Sequence, residues 1–383
     1  MKSVLIVGGT GVISSAVVDE AVNAGFDVTC INRGHNHGVS LNPNVEALHF
    51  DVRDRKIAEE ALSGRMFDVV VDFICYTATQ VSYSLELFSD KCKQYVFIST
   101  DSVYKIQEDG HYDENTPCSN PEWAYSYQKA ECESIVKEYC CKKNLAYTIV
   151  RPSITYGNTR IPYGFMPAYG YHYSLIDRIK AGKAVICWNE GQNLQTIMRV
   201  EDFAQGMVGL WCNEKALNEA FGICGEVVSW NDVLNAIEKV IGVEIKRINI
   251  PVDIIINKLP SRRGEFLVDR AKNHSVSNLK LRSAVPSFSI KYPLIEGVKK
   301  TVSYYEENKK LHGIDYVYDG QCDMLIKSVT NRTPRFVRYD ENASMVDYYL
   351  GLHSDSFLVR AFNSISKYTK LVGNKVKKTL NFK

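Results

Sequence analysis

The chain has 383 residues, 45% of them hydrophobic, and a formal net charge of +2. A chain of this length can bury a large core in two lobes, and its balanced charge gives no reason to expect a nucleic-acid partner. Its eleven cysteines are odd in number and show no C-x-x-C spacing, which favours reduced thiols in a cytoplasm over disulfides or a zinc site, and no bound metal is expected.

The first predicted element is a buried strand over residues 4–7, followed by the glycine-rich turn of residues 8–14 and an amphipathic helix. This order is typical of a dinucleotide site, where backbone amides and the positive end of the helix hold a pyrophosphate. Ser14 stands where a third glycine is usual, and we expect so small a residue to preserve the turn. Because Met1 leads straight into this strand and no apolar stretch reaches ~18 residues, neither a signal peptide nor a membrane span is expected.

The second predicted strand, residues 26–31, ends at Asn32 and Arg33, where an acid that binds the adenosine ribose is expected. An acid would repel a 2′-phosphate, whereas an amide beside a guanidinium tolerates or attracts one. The sequence therefore favours NADP over NAD. The alternative is that Arg33 is only a solvated loop charge.

Further apolar runs alternate with helical patterns, at residues 45–50, 69–73, 95–98 and 146–150. Such alternation predicts an α/β fold with a doubly wound parallel sheet, a Rossmann domain. Asp51 follows the third strand, where its carboxylate could bind an adenine ring. It could equally cap the next helix.

Tyr125 and Lys129 are four residues apart in a helical pattern, so their side chains share one face of the helix. A neighbouring ammonium lowers the pKa of a phenol from its usual value of ~10 towards the range where it can act as a base. Such pairs also occur by chance on many helices, so this one needs support from the rest of the chain.

That support comes from four segments that occur in order. They are residues 8–14, residues 99–104, Tyr125 with Lys129, and residues 151–157. Together they resemble the extended short-chain dehydrogenase/reductases, the NAD(P)-dependent nucleotide-sugar epimerases and dehydratases, over residues 1 to about 312.

The resemblance implies roles for individual residues. Thr100 would hydrogen-bond the reacting sugar oxygen, and Tyr125 would be the acid/base that removes a hydroxyl proton while hydride passes to the nicotinamide, giving a bound ketosugar. Without the resemblance, Thr100 could be only a strand-end hydroxyl that satisfies a backbone group. Lys129 would hold the nicotinamide ribose. The expected cofactor-binding residues are Gly8, Thr10, Gly11, Val12, Ile13, Asn32, Arg33, Asp51, Val52 and Lys129.

The residues after Thr100 bear on the reaction. In dTDP-glucose 4,6-dehydratases an Asp-Glu pair follows as the acid and base that remove water, whereas this chain has Asp101 and Ser102. Asp101 thus matches the catalytic acid of the dehydratases, but Ser102 stands in place of their catalytic base. We therefore expect a 4-epimerase or a 4-ketoreductase, with a 4,6-dehydratase as the alternative.

Beyond Val150 the alternation of strands and helices becomes less regular. We expect a Rossmann domain over residues 1–155, a substrate-binding lobe over 156–312 that is partly interleaved with the sheet, and a C-terminal extension over 313–383. An aromatic, glycine-rich segment over residues 156–173 suits a loop that folds over a nucleotide sugar. The expected substrate-binding residues are Tyr156, in this aromatic segment, and Arg160 and Arg199, whose guanidinium groups pair well with diphosphates. The alternative is that the aromatic side chains of such a loop pack into an ordinary minor core.

The last part of the extension, residues 357–383, has seven basic side chains, no acid, and apolar residues near helical spacing. It predicts a basic amphipathic helix that rests on an anionic membrane or a partner in glycan assembly, or that packs on its own subunit. The family resemblance also implies a homodimer formed through the helix over residues 80–91 and the helix that carries Tyr125.

A different class of function is also open. The glycine turn and the Asn-Arg-Gly of residues 32–34 resemble those of atypical relatives, including plant chloroplast stem-loop-binding proteins, where the fold serves RNA binding. Thr100, Tyr125 and Lys129 are all present, however, and a protein freed from catalysis has no physical need of them. The balanced charge also offers little basis for RNA affinity.

Overall fold

The computed structural model describes residues 1–34 and 41–359. It divides into two compact units. The first contains residues 1–164, 192–242 and 264–307, and the second contains residues 165–191, 243–263 and the described residues from 308 onward. The basic tail predicted at the C-terminus lies, from residue 360 on, outside the described residues. The domain boundaries after residues 155 and 312 stay a prediction.

The strands of the described residues are, in chain order, β1 (Ser3–Val7), β2 (Asp27–Asn32), β3 (Glu46–His49), β4 (Phe67–Asp72), β5 (Cys92–Ile98), β6 (His111–Tyr112), β7 (Ala146–Pro152), β8 (Ile154–Tyr156), β9 (Val185–Cys187), β10 (Leu194–Arg199), β11 (Glu219–Ile223), β12 (Glu226–Ser229), β13 (Arg247–Asn249) and β14 (Ser275–Val276).

The α-helices there are α1 (Val12–Asn23), α2 (Arg55–Ala61), α3 (Ala78–Phe88), α4 (Ala124–Lys143), α5 (Ser174–Lys180), α6 (Val200–Val208), α7 (Trp230–Ile241), α8 (Val252–Lys258), α9 (Arg263–Glu265), α10 (Leu279–Ala284), α11 (Leu294–Glu307), α12 (Tyr316–Val329) and α13 (Met345–Leu352). A 3₁₀ turn follows β5 at Asp101–Val103, and a π-helical turn follows α9 at Phe266–Arg270.

The first unit is built on a parallel sheet of seven strands in the order β11-β7-β5-β4-β1-β2-β3. Smaller sheets in the same unit join β8, β10 and β12, and join β6 with β14. The predicted doubly wound α/β fold is thereby confirmed, and every strand expected over the first 150 residues is present within a few residues of its predicted bounds.

Both faces of the large sheet are covered, which explains the continuous apolar runs. Val4 and Ile6 of β1 pack into one core with side chains of α1 and α6. Leu5 and Val7 point to the other face, into a core shared with α3 and α4. Because successive strand residues face opposite sides, a strand buried on both sides has no polar face to alternate.

The second unit pairs β9 with β13 in parallel and contains α5, α8, α12 and α13. α12 and α13 pack with their backbones in close contact, since a Cβ added at Gly320 or Gly351 would collide with the facing helix. A buried ion cluster joins α5 and the following residues to α12. In it Arg178 and Lys183 both pair with Asp319 and Asp323. No helix among the described residues has the length and apolarity needed to cross a bilayer.

Candidate active site

The glycine turn between β1 and α1 needs glycine at two positions. Gly8 has a φ of +86°, and a Cβ there would lie 2.6 Å from the Cγ2 atom of Ile74. At Gly9 a Cβ would lie 2.8 Å from the sulfur of Cys30 on β2. The backbone therefore passes close to the carboxyl ends of the strands, which is where open α/β sheets bind nucleotides.

Ser14 replaces the third glycine by bonding to the turn. Its hydroxyl donates to the carbonyl of Gly8 at 2.7 Å and accepts the amide of Gly11 at 2.8 Å. The side chain is 2% exposed, so it fits inside the turn without opening it. The expectation that serine preserves the turn is confirmed, and the hydrogen bonds are the reason.

The ends of β2 and β3 carry the side chains predicted to bind the adenosine half of a cofactor. The Oδ1 atom of Asn32 accepts the amide of Gly34 at 3.0 Å and lies 2.9 Å from Nδ1 of His49. The Nδ2 atom of Asn32 is buried and has no partner among the described residues. It is a donor without an acceptor, which fits a ribose or phosphate oxygen at this position. Arg33 is exposed.

Asp51 does not cap α2. The N-cap is Asp54, whose side chain accepts the amide of Ile57, while Asp51 accepts the amide of Arg53 at 3.1 Å. The carbonyl of Val52 accepts a hydrogen bond from the hydroxyl of Tyr83 at 2.6 Å. The alternative that Asp51 caps the next helix was therefore wrong. The position of Asp51 beyond the end of β3 is compatible with a contact to adenine.

Thr100 begins the 3₁₀ turn that follows β5. Its hydroxyl oxygen accepts the amide of Ser102 at 3.3 Å and lies 3.2 Å from the hydroxyl of Ser102. The hydroxyl donates to the Oδ1 atom of Asp101 at 3.4 Å. Thr100 thus satisfies a backbone group, as the alternative interpretation held. At 3.4 Å the bond to Asp101 is long for an O–H···O hydrogen bond, so the hydroxyl can rotate towards another acceptor at the carboxyl end of the sheet.

Helix α4 is fixed to this turn by two residues that the sequence reasoning missed. The side-chain Nδ2 atom of Asn120 donates to the carbonyls of Ser102 and Tyr104 at 2.7 and 2.6 Å. The hydroxyl of Ser126 also donates to the carbonyl of Ser102, at 2.6 Å. Asn120 and Ser126 are 3% and 0% exposed. These bonds set the position of Tyr125 and Lys129 relative to Thr100. The sequence offers no local pattern that would have found them.

Lys129 reaches from α4 to the ends of two central strands. Its ammonium donates to the carbonyl of Ile98, the last residue of β5, and to that of Cys75 after β4, both at 2.7 Å. The ring of Tyr76 lies 4.5 Å away. The third N–H has no partner among the described residues. Burial lowers the pKa of Lys129 to about 8, although nearby Cys132, Cys75 and Asp72 oppose the shift.

Tyr125 lies in the first turn of α4, one turn before Lys129, and 36% of its surface is exposed. Its ring lies 5.2 Å from that of Trp123. The predicted pair therefore combines an anchored, buried cation with an accessible phenol on the same helix.

A buried cluster around Asp101 was not predicted from the sequence. The Oδ2 atom of Asp101 lies 3.5 Å from Nε2 of His274, whose ring stacks on Tyr112 at 4.3 Å. Asp269 lies nearby and pairs with Arg270 at 2.8 Å. Burial, and then the charge of Asp269, raises the pKa of Asp101 well above its ordinary value. This shift favours the protonated form of Asp101.

The three residues predicted to bind substrate also lie in the first unit. Tyr156 is 1% exposed and Arg199 is 0% exposed. The guanidinium of Arg199 donates to the side chains of Glu201, Thr301 and Asn158 and to the carbonyl of Gly297. The donors of Arg199 are thus used inside the protein, and in this geometry none is left for a diphosphate.

Arg160 is half-buried and closes a short turn in which its backbone exchanges hydrogen bonds with Gly157. Among the described residues, no group of three or more His, Cys, Asp or Glu side chains is placed to hold a metal ion.

Comparison with known proteins identifies the family. Residues 4–224 match the model of the NAD dependent epimerase/dehydratase family. The match covers more than half of the chain, and the chain belongs to this family. The resemblance to the extended short-chain dehydrogenase/reductases is confirmed.

Individual relatives are distant. The chain is 29% identical over 239 residues to the chloroplast stem-loop binding protein of 41 kDa b of Arabidopsis thaliana, covering 59% of each protein. It is 23% identical over 331 residues to a putative UDP-glucose 4-epimerase of Methanocaldococcus jannaschii, covering 80% of this chain and 99% of the relative. Human dTDP-D-glucose 4,6-dehydratase is 22% identical, with 80% of this chain and 91% of the relative covered.

Solved structures share the fold. The epimerase Mth375 of Methanothermobacter thermautotrophicus superposes with a TM-score of 0.67 at 15% identity, over 81% of this chain and 94% of that one. The UDP-glucose 4-epimerase of Thermotoga maritima superposes with a TM-score of 0.64 at 19% identity, over 80% and 99%.

Proposed function

We propose that this protein is an NAD(P)-dependent enzyme that oxidises and reduces a nucleotide sugar at C4, with epimerisation or 4-keto reduction as the net reaction. One observation carries the proposal. Lys129 is held at the carboxyl ends of β4 and β5, on the helix that carries Tyr125, and that helix is bonded to the turn that begins at Thr100.

The residues of the chain fit a dinucleotide. Gly8 and Gly9 keep the backbone close to the strand ends, Asn32 has a free amide donor, and Lys129 has a free N–H for a ribose hydroxyl. A bound nicotinamide supplies the hydride acceptor and donor.

Side chains of the protein transfer the proton. Tyr125, in its phenolate form, takes a proton from the sugar hydroxyl, and Thr100 hydrogen-bonds the same oxygen. The cation of Lys129, one turn away, favours the phenolate. In an epimerase, Tyr125 would return the proton to the ketosugar oxygen after the sugar has turned over. In a ketoreductase, Tyr125 would give a proton to the oxygen of a ketosugar substrate.

Dehydration is the weaker candidate because the residue that follows Asp101 in the chain is not an acid. Ser102 stands there, and its hydroxyl contacts Thr100 at 3.2 Å. Asp101 as a neutral acid could donate a proton to a leaving hydroxyl, but a base for the C5 proton is also required. The matches to 4,6-dehydratases keep this reaction as the alternative.

NADP remains our preferred cofactor on the strength of Asn32 and Arg33. The dehydratase of Bacillus anthracis and the UDP-glucuronic acid 4-epimerase of Bacillus cereus, which share the fold, were solved in complex with NAD. Titration of the apoprotein with each dinucleotide decides between them, and tighter binding of NAD would overturn the preference.

Product analysis tests the reaction. The protein is incubated with UDP-, GDP-, dTDP- and CDP-hexoses and each cofactor, and the products are separated and weighed by mass spectrometry. An epimer of unchanged mass is expected. Since the natural substrate of a ketoreductase is a 4-ketosugar, 4-keto-hexose nucleotides form a second set, with a gain of two hydrogens expected. Loss of water from a hexose would reverse the ranking.

RNA binding is the second candidate, because the plant relative is named as a stem-loop binding protein. Tyr125→Phe separates the two. An enzyme loses turnover and keeps cofactor affinity, whereas an RNA-binding protein keeps its affinity for a stem-loop RNA whether or not the phenol is present.

We also propose a homodimer through α3 and α4, which lie side by side on one core of the sheet. Light scattering at several concentrations gives the mass, and a monomer at every concentration would contradict this assembly.

A further inference from the structure

The second unit contains a concave site that the proposed chemistry does not use. It is a cavity of about 510 Å³ between the turn after α5, α12 and the loop over residues 332–335. Five of its lining side chains are cationic, namely Arg178, Lys183, Lys246, Arg332 and Arg335, and one, Asp323, is acidic. We call it the basic pocket.

The inner cations of the basic pocket are already neutralised. Arg178 and Lys183 each pair with both Asp319 and Asp323, at up to 2.8 Å. Burial alone would raise the pKa of Asp323, but the two cations hold it below its ordinary value. Two positive and two negative charges balance, so this cluster fixes the floor of the pocket without adding net charge.

The other three cations of the pocket, Lys246, Arg332 and Arg335, are called the outer cations, and carboxylates of the described residues do not neutralise them. Lys246 donates to the carbonyl of Gly182 at 3.4 Å, and Arg335 donates to the carbonyl of Ala181 at 3.2 Å. Neither of them, nor Arg332, pairs with a carboxylate among the described residues. All three are exposed. Three uncompensated charges therefore surround one concavity, where the surrounding protein concentrates their field.

We propose that the basic pocket binds a phosphate-bearing ligand. Guanidinium groups match the paired oxygens of a phosphate, and the exposed hydroxyl of Thr333 supplies a further donor at the same wall. The volume exceeds that of a single small anion and admits a diphosphate or a phosphorylated head group.

Calorimetric titration of the full chain with inorganic pyrophosphate tests the proposal. The double variant Lys246→Gln/Arg332→Gln removes two outer cations. The matched control Lys239→Gln/Arg338→Gln removes one lysine and one arginine that do not line the pocket. Because every variant retains the nucleotide-site residues of the first unit, a difference between them isolates the basic pocket.

We expect one saturable site to weaken at least tenfold in the pocket variant and to be unchanged in the control. Thr333→Glu, which adds an acid to the exposed wall, should give the same loss and guards against a misfolded double variant. Equal affinity in all proteins, or equal loss in both double variants, would overturn the proposal.

The source of the phosphate is found by flotation with vesicles of phosphatidylcholine, with and without phosphatidic acid. Flotation that needs both phosphatidic acid and the outer cations identifies a lipid head group. Pyrophosphate binding without flotation identifies a soluble phosphorylated ligand.

Discussion

Lys129 illustrates how one residue connects the fold to the chemistry. Its ammonium is bound to carbonyls at the ends of two strands, so the sheet itself sets its position. Burial lowers its pKa to about 8, which places the loss of its charge within reach of an ordinary assay.

We predict that kcat/KM falls above pH about 8, because the neutral amine no longer favours the phenolate or holds the ribose. The stability effect has the opposite sign. Since the folded pKa is below the unfolded one, the free energy of unfolding contributed by Lys129 rises with pH between these two values. A pH–rate profile and urea melts of the parent and Lys129→Met test both effects. A flat profile through this range would contradict the first.

Asp101 distinguishes the candidate reactions. A protonated carboxyl group and the amide of asparagine have the same shape. Asp101→Asn should therefore retain epimerase or reductase activity to within about tenfold and should abolish dehydratase activity. The raised pKa of Asp101 means that its stability contribution declines as pH rises above the ordinary range of an aspartate. The variant should therefore be at least as stable as the parent at neutral pH. Thermal melts and product assays measure both properties.

At the scale of elements, α1 and α4 are each placed by a serine. We predict that Ser14→Ala lowers the free energy of unfolding by roughly 1–2 kcal/mol and weakens dinucleotide binding, because two partly buried hydrogen bonds within the glycine turn are lost. Ser15→Ala is the control, since that hydroxyl makes one long bond of 3.5 Å to Val12. Similar losses in both variants would show that the turn does not depend on Ser14.

Two serines of helix α4 can be compared by the same substitution to alanine. Ser126→Ala removes the buried bond to Ser102, whereas Ser134→Ala removes an exposed bond within the helix. We expect the first to reduce kcat several-fold and to cost about 1 kcal/mol of stability, and the second to change neither. A kcat unchanged in Ser126→Ala would mean that the bond to the turn does not position Tyr125.

At the scale of the whole molecule, the sequence predicted what depends on local order along the chain. The glycine turn, the buried strands and the four-residue spacing of Tyr125 and Lys129 are local patterns. Asn120 and His274 were missed because their partners lie on distant segments, which only tertiary packing brings together. Arg199 has the residue type suited to a diphosphate, but the sequence gives no measure of its burial.

The second unit was the least predictable part for the same reason. It is assembled from three separated stretches of chain, so no continuous pattern marks it as one body. Arg178, Lys246 and Arg332 of the basic pocket each come from a different one of these stretches. A hydrophobic period identifies elements, whereas a charge cluster of this kind exists only after folding.

The most direct test of the account is the turnover and cofactor affinity of Tyr125→Phe, measured on the best substrate from the nucleotide-sugar screen. Loss of at least a thousandfold in kcat, with dinucleotide affinity within about twofold of the parent, is the expected result. Turnover that survives the loss of this hydroxyl would contradict the assignment of Tyr125 as the acid/base, and with it the proposed chemistry.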